Sequence, residues 1–150
     1  MSIGNLLSES LIDDNLSGGN KYEVIEKLLE LLVKNSSIRD KQTCLNDLIE
    51  REQLLSTGLE NGLAVPHAKS SAAENLVVSF GLCREGLDFG TLDGKPAHCI
   101  FLVVSPLNTS GPHIKMLAQI TRNFRELEIG EKLLAAKNKK EILSIIQDFK

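Results

Sequence analysis

"LENGLAVPHAKS", residues 59–70, is the stretch from which the rest of the fold can be read. Leu63-Ala64-Val65 is an apolar, strand-like run, and Pro66 closes it. Proline has no N–H to give a sheet ladder, so this strand ends at a sheet edge or a bulge. Val65, as the residue before a proline, is biased to extended backbone, and Pro66 itself has a fixed φ. The ring of His67 therefore leaves the strand end in a set direction. Neutral imidazole, with an unperturbed pKa of about 6.5, is one of the side chains that form covalent intermediates, and a stiff backbone holds such a group well. By pattern alone, however, a lone histidine at a strand end is more often a hydrogen-bonded structural residue.

Outward from this stretch the chain alternates breakers with periodic segments. Upstream, "NLSGGNK" at 15–21 is a breaker, and Tyr22, Ile25, Leu28, Leu29 and Leu32 follow at helical spacing. That amphipathic helix should stop near "KNSS". A second helix is predicted after "IRD", from about 41 to 55, with Cys44, Leu45, Leu48, Ile49 and Leu55 as its apolar stripe. Downstream, "NLVVSFGLC" and "AHCIFLVVS" are rich in β-branched and aromatic residues and read as buried strands. "REGLDFGTLDGKP" between them, with its Asp93-Gly94 turn dipeptide, reads as a loop. After a further loop, "PLNTSGP", the residues Ile114, Leu117, Ile120 and Phe124 predict a helix with Pro112 in its first turn, where a missing N–H costs nothing. Shorter helices are expected near 129–137 and 139–149. The expected fold class is α+β, a three-layer α/β/α sandwich with a small mixed β-sheet flanked by helices. Residues 1–150 are expected to form a single domain.

Bulk composition narrows the function. Apolar residues make up 42% and charged residues 25% of the 150, an ordinary globular balance. The formal net charge is −3 with both signs interspersed, and no basic stripe suggests a nucleic-acid partner. No run of 18 apolar residues suggests membrane insertion, and "MSIGNLLSES" lacks the basic and apolar regions of a secretory signal. Cys44, Cys83 and Cys99 have no C-x-x-C spacing, which favours reduced thiols and a cytoplasmic location, with Cys83 and Cys99 as small core residues. The histidines show neither H-E-x-x-H nor Cys/His zinc spacing, so no metal or other cofactor is expected.

Two further residues bear on His67. Arg51 stands near the end of the second helix and could offer a planar fork of donors suited to phosphate. His113 stands in the first turn of the helix carrying Pro112, where unpaired N–H groups favour an anion. The plain alternatives are a solvated helix end for Arg51 and an ordinary first-turn residue for His113. Spacing does not show that the three meet in space.

The segment "REQLLSTGLENGLAVPHAKS" resembles the active-site segment of enzyme IIA domains of the bacterial phosphoenolpyruvate-dependent phosphotransferase system, in the type 2 branch that includes fructose, mannitol and nitrogen-regulatory members. That segment runs from an acidic or amide residue to apolar-Ala-apolar-Pro-His and a small residue. Glu52, Leu59, Leu63-Ala64-Val65-Pro66-His67 and Ala68 fill those places. Glu60 departs, standing where Gly or Ala is usual, which bears on the local turn and on the charge beside the site. "GLDFGTLDGKPAHCIFLVVSP" and "SGPHIKMLAQITRNF" extend the resemblance over nearly the whole chain.

The resemblance implies that His67 is phosphorylated on a ring nitrogen. It implies that His113 contacts the phosphoryl group without carrying it, and that Arg51 stabilises the group in transfer. Thr57 and Lys69, near these in sequence, are candidates for polar contacts, and His98 reads as structural. The implied donor is the phosphocarrier protein HPr. The implied downstream partner is a IIB component, whose cysteine takes the group in sugar transport, or a regulatory target protein. Meeting another protein's histidine requires a shallow site with an exposed apolar rim. Competing readings are a non-catalytic module that has kept the fold and, more remotely, a metal-dependent hydrolase.

Overall fold

A computed structural model describes residues 2–150. Helix α1 (Ile3–Leu6), a 3-10 turn (Glu9–Leu11) and strand β1 (Ile12–Asp13) come first. The apolar spacing predicts none of them, because each is too short to show a period. Helix α2 (Lys21–Lys34) starts where Asn20 accepts from the N–H groups of Tyr22 (2.9 Å) and Glu23 (3.1 Å). The Glu23 carboxylate reaches back to the Gly19 N–H at 2.7 Å, so both sides of the breaker are tied to the helix start. Its predicted stripe is buried through Ile25, Leu28, Leu29 and Leu32.

Helix α3 (Lys41–Leu54) begins at Asp40, which accepts from the Thr43 N–H. Its buried face differs from the predicted stripe. Cys44, Leu45 and Leu48 are inside, but the next buried position is Glu52. Leu55 lies past the helix end in extended backbone and is 70% exposed. The strand expected to close at Pro66 is β2 (Leu63–Ala64), and a second short strand, β3 (His67–Lys69), begins directly after that proline. Both run parallel to β5 along its outer side. Pro66 gives no N–H to the ladder, yet its carbonyl accepts from the Val103 N–H at 3.0 Å.

Strand β4 (Val77–Leu87) extends into the predicted loop as far as Leu87. A register shift between Leu82 and Leu87 admits the charged pair Arg84-Glu85, and Gly86 supplies a φ of +83° there. It pairs antiparallel with β5 (Ala97–Ser105) and parallel with β1, so the sheet is mixed, in the order β1-β4-β5-β2 with β3 also on β5. Helices α4 (Ser110–Asn123), α5 (Leu127–Ala135) and α6 (Lys139–Gln147) complete the chain.

The two faces of the sheet differ. On one, Ser79 donates to the Leu28 carbonyl of α2 at 3.0 Å, and Gly81 leaves room for Leu16 and Leu28. On the other, Phe80 and Phe101 pack at 4.6 Å between centroids, with Phe124 and Phe149 closing over Phe101. Helices thus cover both faces, as the three-layer reading requires. Cys44, Cys83 and Cys99 are free thiols, all buried.

Candidate functional site

The site lies where β3 and the start of α4 meet the end of α3. Asp47, Glu50, Arg51, Leu54, His67, Ala68, Lys69 and His113 line an open depression of about 440 Å³. The fold therefore brings His67, His113, Arg51 and Lys69 together, which spacing in the sequence could not show. Thr57 is not in this lining. It is buried beneath it, where its hydroxyl donates to Glu52 at 2.6 Å.

Nδ1 of His67 is 2.7 Å from the Val65 carbonyl oxygen. A carbonyl only accepts, so Nδ1 carries the proton and Nε2 is left with a bare lone pair. Burial holds the imidazole below its ordinary pKa; the Val65 hydrogen bond and the Glu52 charge oppose that shift, and the Arg51 charge adds to it. The ring is thus neutral near pH 7, with its basic nitrogen unprotonated.

The carbonyl that orients His67 is itself braced. The Val65 N–H donates to the Thr57 carbonyl at 3.1 Å. Thr57 is pinned by Glu52, which accepts its hydroxyl and, at 2.9 Å, its N–H. Glu52 also pairs with Lys21 of α2 at 3.1 Å. A buried carboxylate satisfied by three donors locks the turn behind the site to two helices. Glu52 fills a motif position, but its burial is hidden in the sequence, where "EREQ" looks like a solvated helix face.

His113 is the fourth residue of α4, because that helix begins at Ser110 and not at Pro112. Its buried face runs through His113, Met116, Ile120 and Phe124, rotated from the predicted stripe, and Ile114 is 64% exposed. The imidazole takes the first inward position. Its ring lies 5.4 Å from that of His67, tilted by 57°. Burial, reinforced by His67, Lys69 and Arg51, pushes its pKa down to about 4. Its Nδ1 is 2.5 Å from the hydroxyl of Ser105. Ser105 was not legible as a site residue; it ends an apolar strand, and only the fold sets it beside His113.

Lys69 donates to the Ser110 hydroxyl at 2.6 Å, tying β3 to the start of α4. Arg51 donates to the Leu55 carbonyl at 2.9 Å, which holds the guanidinium at the rim. Glu60 is exposed in the turn before β2 and outside the depression, so the unusual residue adds no charge to the lining. The local turn is made by Asn61 and Gly62, both at positive φ. His98 is remote, its Nδ1 donating to the Cys83 carbonyl at 2.9 Å, consistent with a structural residue. Among the described residues no group of three His, Cys, Asp or Glu side chains is placed to hold a metal ion.

The molecule is thus an α/β/α sandwich that presents two neutral imidazoles and two cations in a shallow surface depression. Residues 5–149 match the family described as phosphoenolpyruvate-dependent sugar phosphotransferase system, EIIA 2, and the chain belongs to that family of phosphotransfer components. It is 32% identical over 146 residues to the fructose-specific EIIABC component of Bacillus subtilis, covering 97% of this chain but 23% of that longer protein. It is 33% identical over 128 residues to the fructose-specific EIIA component of Haloferax volcanii, covering 85% of this chain and 83% of the relative. Among solved structures, the nitrogen regulatory protein IIA-Ntr of Neisseria meningitidis superimposes with a TM-score of 0.88 at 31% identity, covering 96% and 98% of the two chains. No helix among the described residues is long and apolar enough to cross a membrane.

Proposed function

We propose that the protein is a phosphocarrier in which Nε2 of His67 accepts a phosphoryl group from a phosphohistidine donor, the HPr-like protein of the system. The carrying observation is the hydrogen bond from Nδ1 of His67 to the Val65 carbonyl, which leaves Nε2 unprotonated on a ring that lines the depression. The Nε2 lone pair forms the new N–P bond as the N–P bond of the donor breaks. A protonated phosphoimidazole on the donor leaves as a neutral imidazole. The proton on Nδ1 of His67 stays in place, and the Val65 carbonyl stabilises the positive charge that the ring acquires. No proton has to move, and a phosphoramidate is exchanged for a phosphoramidate, so the step is close to neutral and reversible.

The transferring group spreads negative charge over its equatorial oxygens, so positioned donors supply most of the acceleration. Arg51 offers a guanidinium, Lys69 an ammonium within reach of the start of α4, and His113 a ring N–H. This chemistry requires no metal. The site would work in the cytoplasm, where the donor is found.

Incubation with phosphoenolpyruvate, enzyme I and HPr should add one acid-labile, alkali-stable phosphate per chain. His67→Ala should take up none. Uptake at the wild-type level by that variant would refute the assignment.

Two destinations for the phosphate follow from the relatives. The similarity to fructose components suggests a IIB cysteine, and the near full-length similarity to a nitrogen regulatory protein suggests a regulatory target. Capture with the phosphorylated protein and with His67→Ala separates them: a IIB component assigns transport, and a kinase or channel assigns regulation.

A further inference from the structure

Ser105 is fully buried, and its hydroxyl lies 2.5 Å from Nδ1 of His113. Among the described residues this is the one hydrogen bond that the hydroxyl makes. The two groups can pair in two ways. If the ring donates from Nδ1, the hydroxyl proton of Ser105 is left in the interior without an acceptor, and such orphaned donors are rare in folded proteins. If Ser105 donates, the Nδ1 lone pair is used and every buried polar atom of the pair is satisfied. The second arrangement places the imidazole proton on Nε2.

We propose that Ser105 is a positioning residue for transfer: by donating to Nδ1 it fixes His113 as the Nε2–H tautomer, so that a neutral ring presents an N–H to the phosphoryl group. The inference rests on the phosphocarrier reading above. It makes the two histidines opposite in kind. The Val65 carbonyl fixes His67 with Nδ1 protonated and Nε2 bare, and Ser105 fixes His113 with Nδ1 bare and Nε2 protonated. One ring is the nucleophile and the other a donor, and neither has to be charged. That matters because burial and the neighbouring cations keep His113 unprotonated at neutral pH. Without a fixed tautomer it would present a lone pair to an anion in part of the population. Ser105 can play this part because β5 ends beside the first turn of α4, which returns His113 to the strand it has just left.

The test reads the tautomer directly by long-range proton–nitrogen correlation spectra of the imidazoles in the unphosphorylated protein at pH 7. The wild type should show protonated Nε2 and bare Nδ1 for His113, and the reverse for His67. Ser105→Ala should give a mixture of His113 tautomers, leave His67 unchanged, and slow phosphoryl acceptance roughly ten-fold, less than the loss of a whole donor. Ser105→Thr, which keeps the hydroxyl, should restore the wild-type tautomer and most of the rate. A wild-type His113 protonated on Nδ1 would overturn the proposal. So would a Ser105→Ala protein with an unaltered tautomer, or one whose tautomers mix while its rate stays unchanged. Because the spectrum needs no phosphate, a wild type that takes up none defeats the phosphocarrier reading while the spectrum still decides what Ser105 does to the ring.

Discussion

Burying two imidazoles side by side makes each harder to protonate, and this has a consequence for stability. His113 has a folded pKa of about 4 against about 6.5 when unfolded. Between those values the unfolded chain binds the proton that the folded chain refuses, so stability is full above pH 6.5 and is lost as pH falls toward 4. Lowering the pH from 7 to 5 should cost about 2 kcal/mol through this one residue. His67 shifts in the same direction and adds to the loss. Urea unfolding at the two pH values, compared with His113→Gln, measures it. The variant should be less pH-sensitive by about that amount, and an identical dependence in both proteins would show that His113 is not a depressed group.

The elements set the site by close backbone contact. A side chain at Gly58 would place its Cβ 2.9 Å from the Phe89 carbonyl oxygen and 3.0 Å from the Thr91 Cα. Backbone on both sides cannot yield cheaply, so Gly58→Ala should lower unfolding stability by about 1–3 kcal/mol. It should also slow phosphoryl acceptance, because the adjacent Thr57 braces Val65. A Gly58→Ala protein with the wild-type urea midpoint would mean that the loop after β4 moves freely. At this scale the helices and long strands were largely legible in the sequence. The α2 stripe, the start of α3 after "IRD" and the two central strands follow from periodicity and residue type. What escaped were pieces too short to have a period, such as β1, and phases decided by tertiary contact. On α3 the polar Glu52 replaces Leu55 at the buried face because Lys21 and Thr57 satisfy it. On α4 the inward start is His113 and not Ile114, because Ser105 provides a partner there. His67, His113 and Arg51 could be named from the sequence, whereas Glu52, Val65 and Ser105 act through contacts that exist only in the fold.

Over the molecule as a whole, the depression is open and has apolar residues at and beside its rim. Leu54 lines it and is 79% exposed, and Leu55 and Ile114 are exposed beside Arg51 and His113. A transient protein donor needs such a rim more than it needs a deep pocket. Leu54→Asp should raise the KM for the donor protein about ten-fold while leaving kcat nearly unchanged, as loss of an interface anchor does. An unaltered KM would place docking elsewhere on the surface. The central claim concerns one bond at the floor of this depression. A phosphorus–nitrogen coupling measurement on the phosphorylated, nitrogen-labelled protein locates it. The account predicts coupling to Nε2 of His67, with Nδ1 still protonated against Val65. Coupling to Nδ1 of His67, or to either nitrogen of His113, would contradict it.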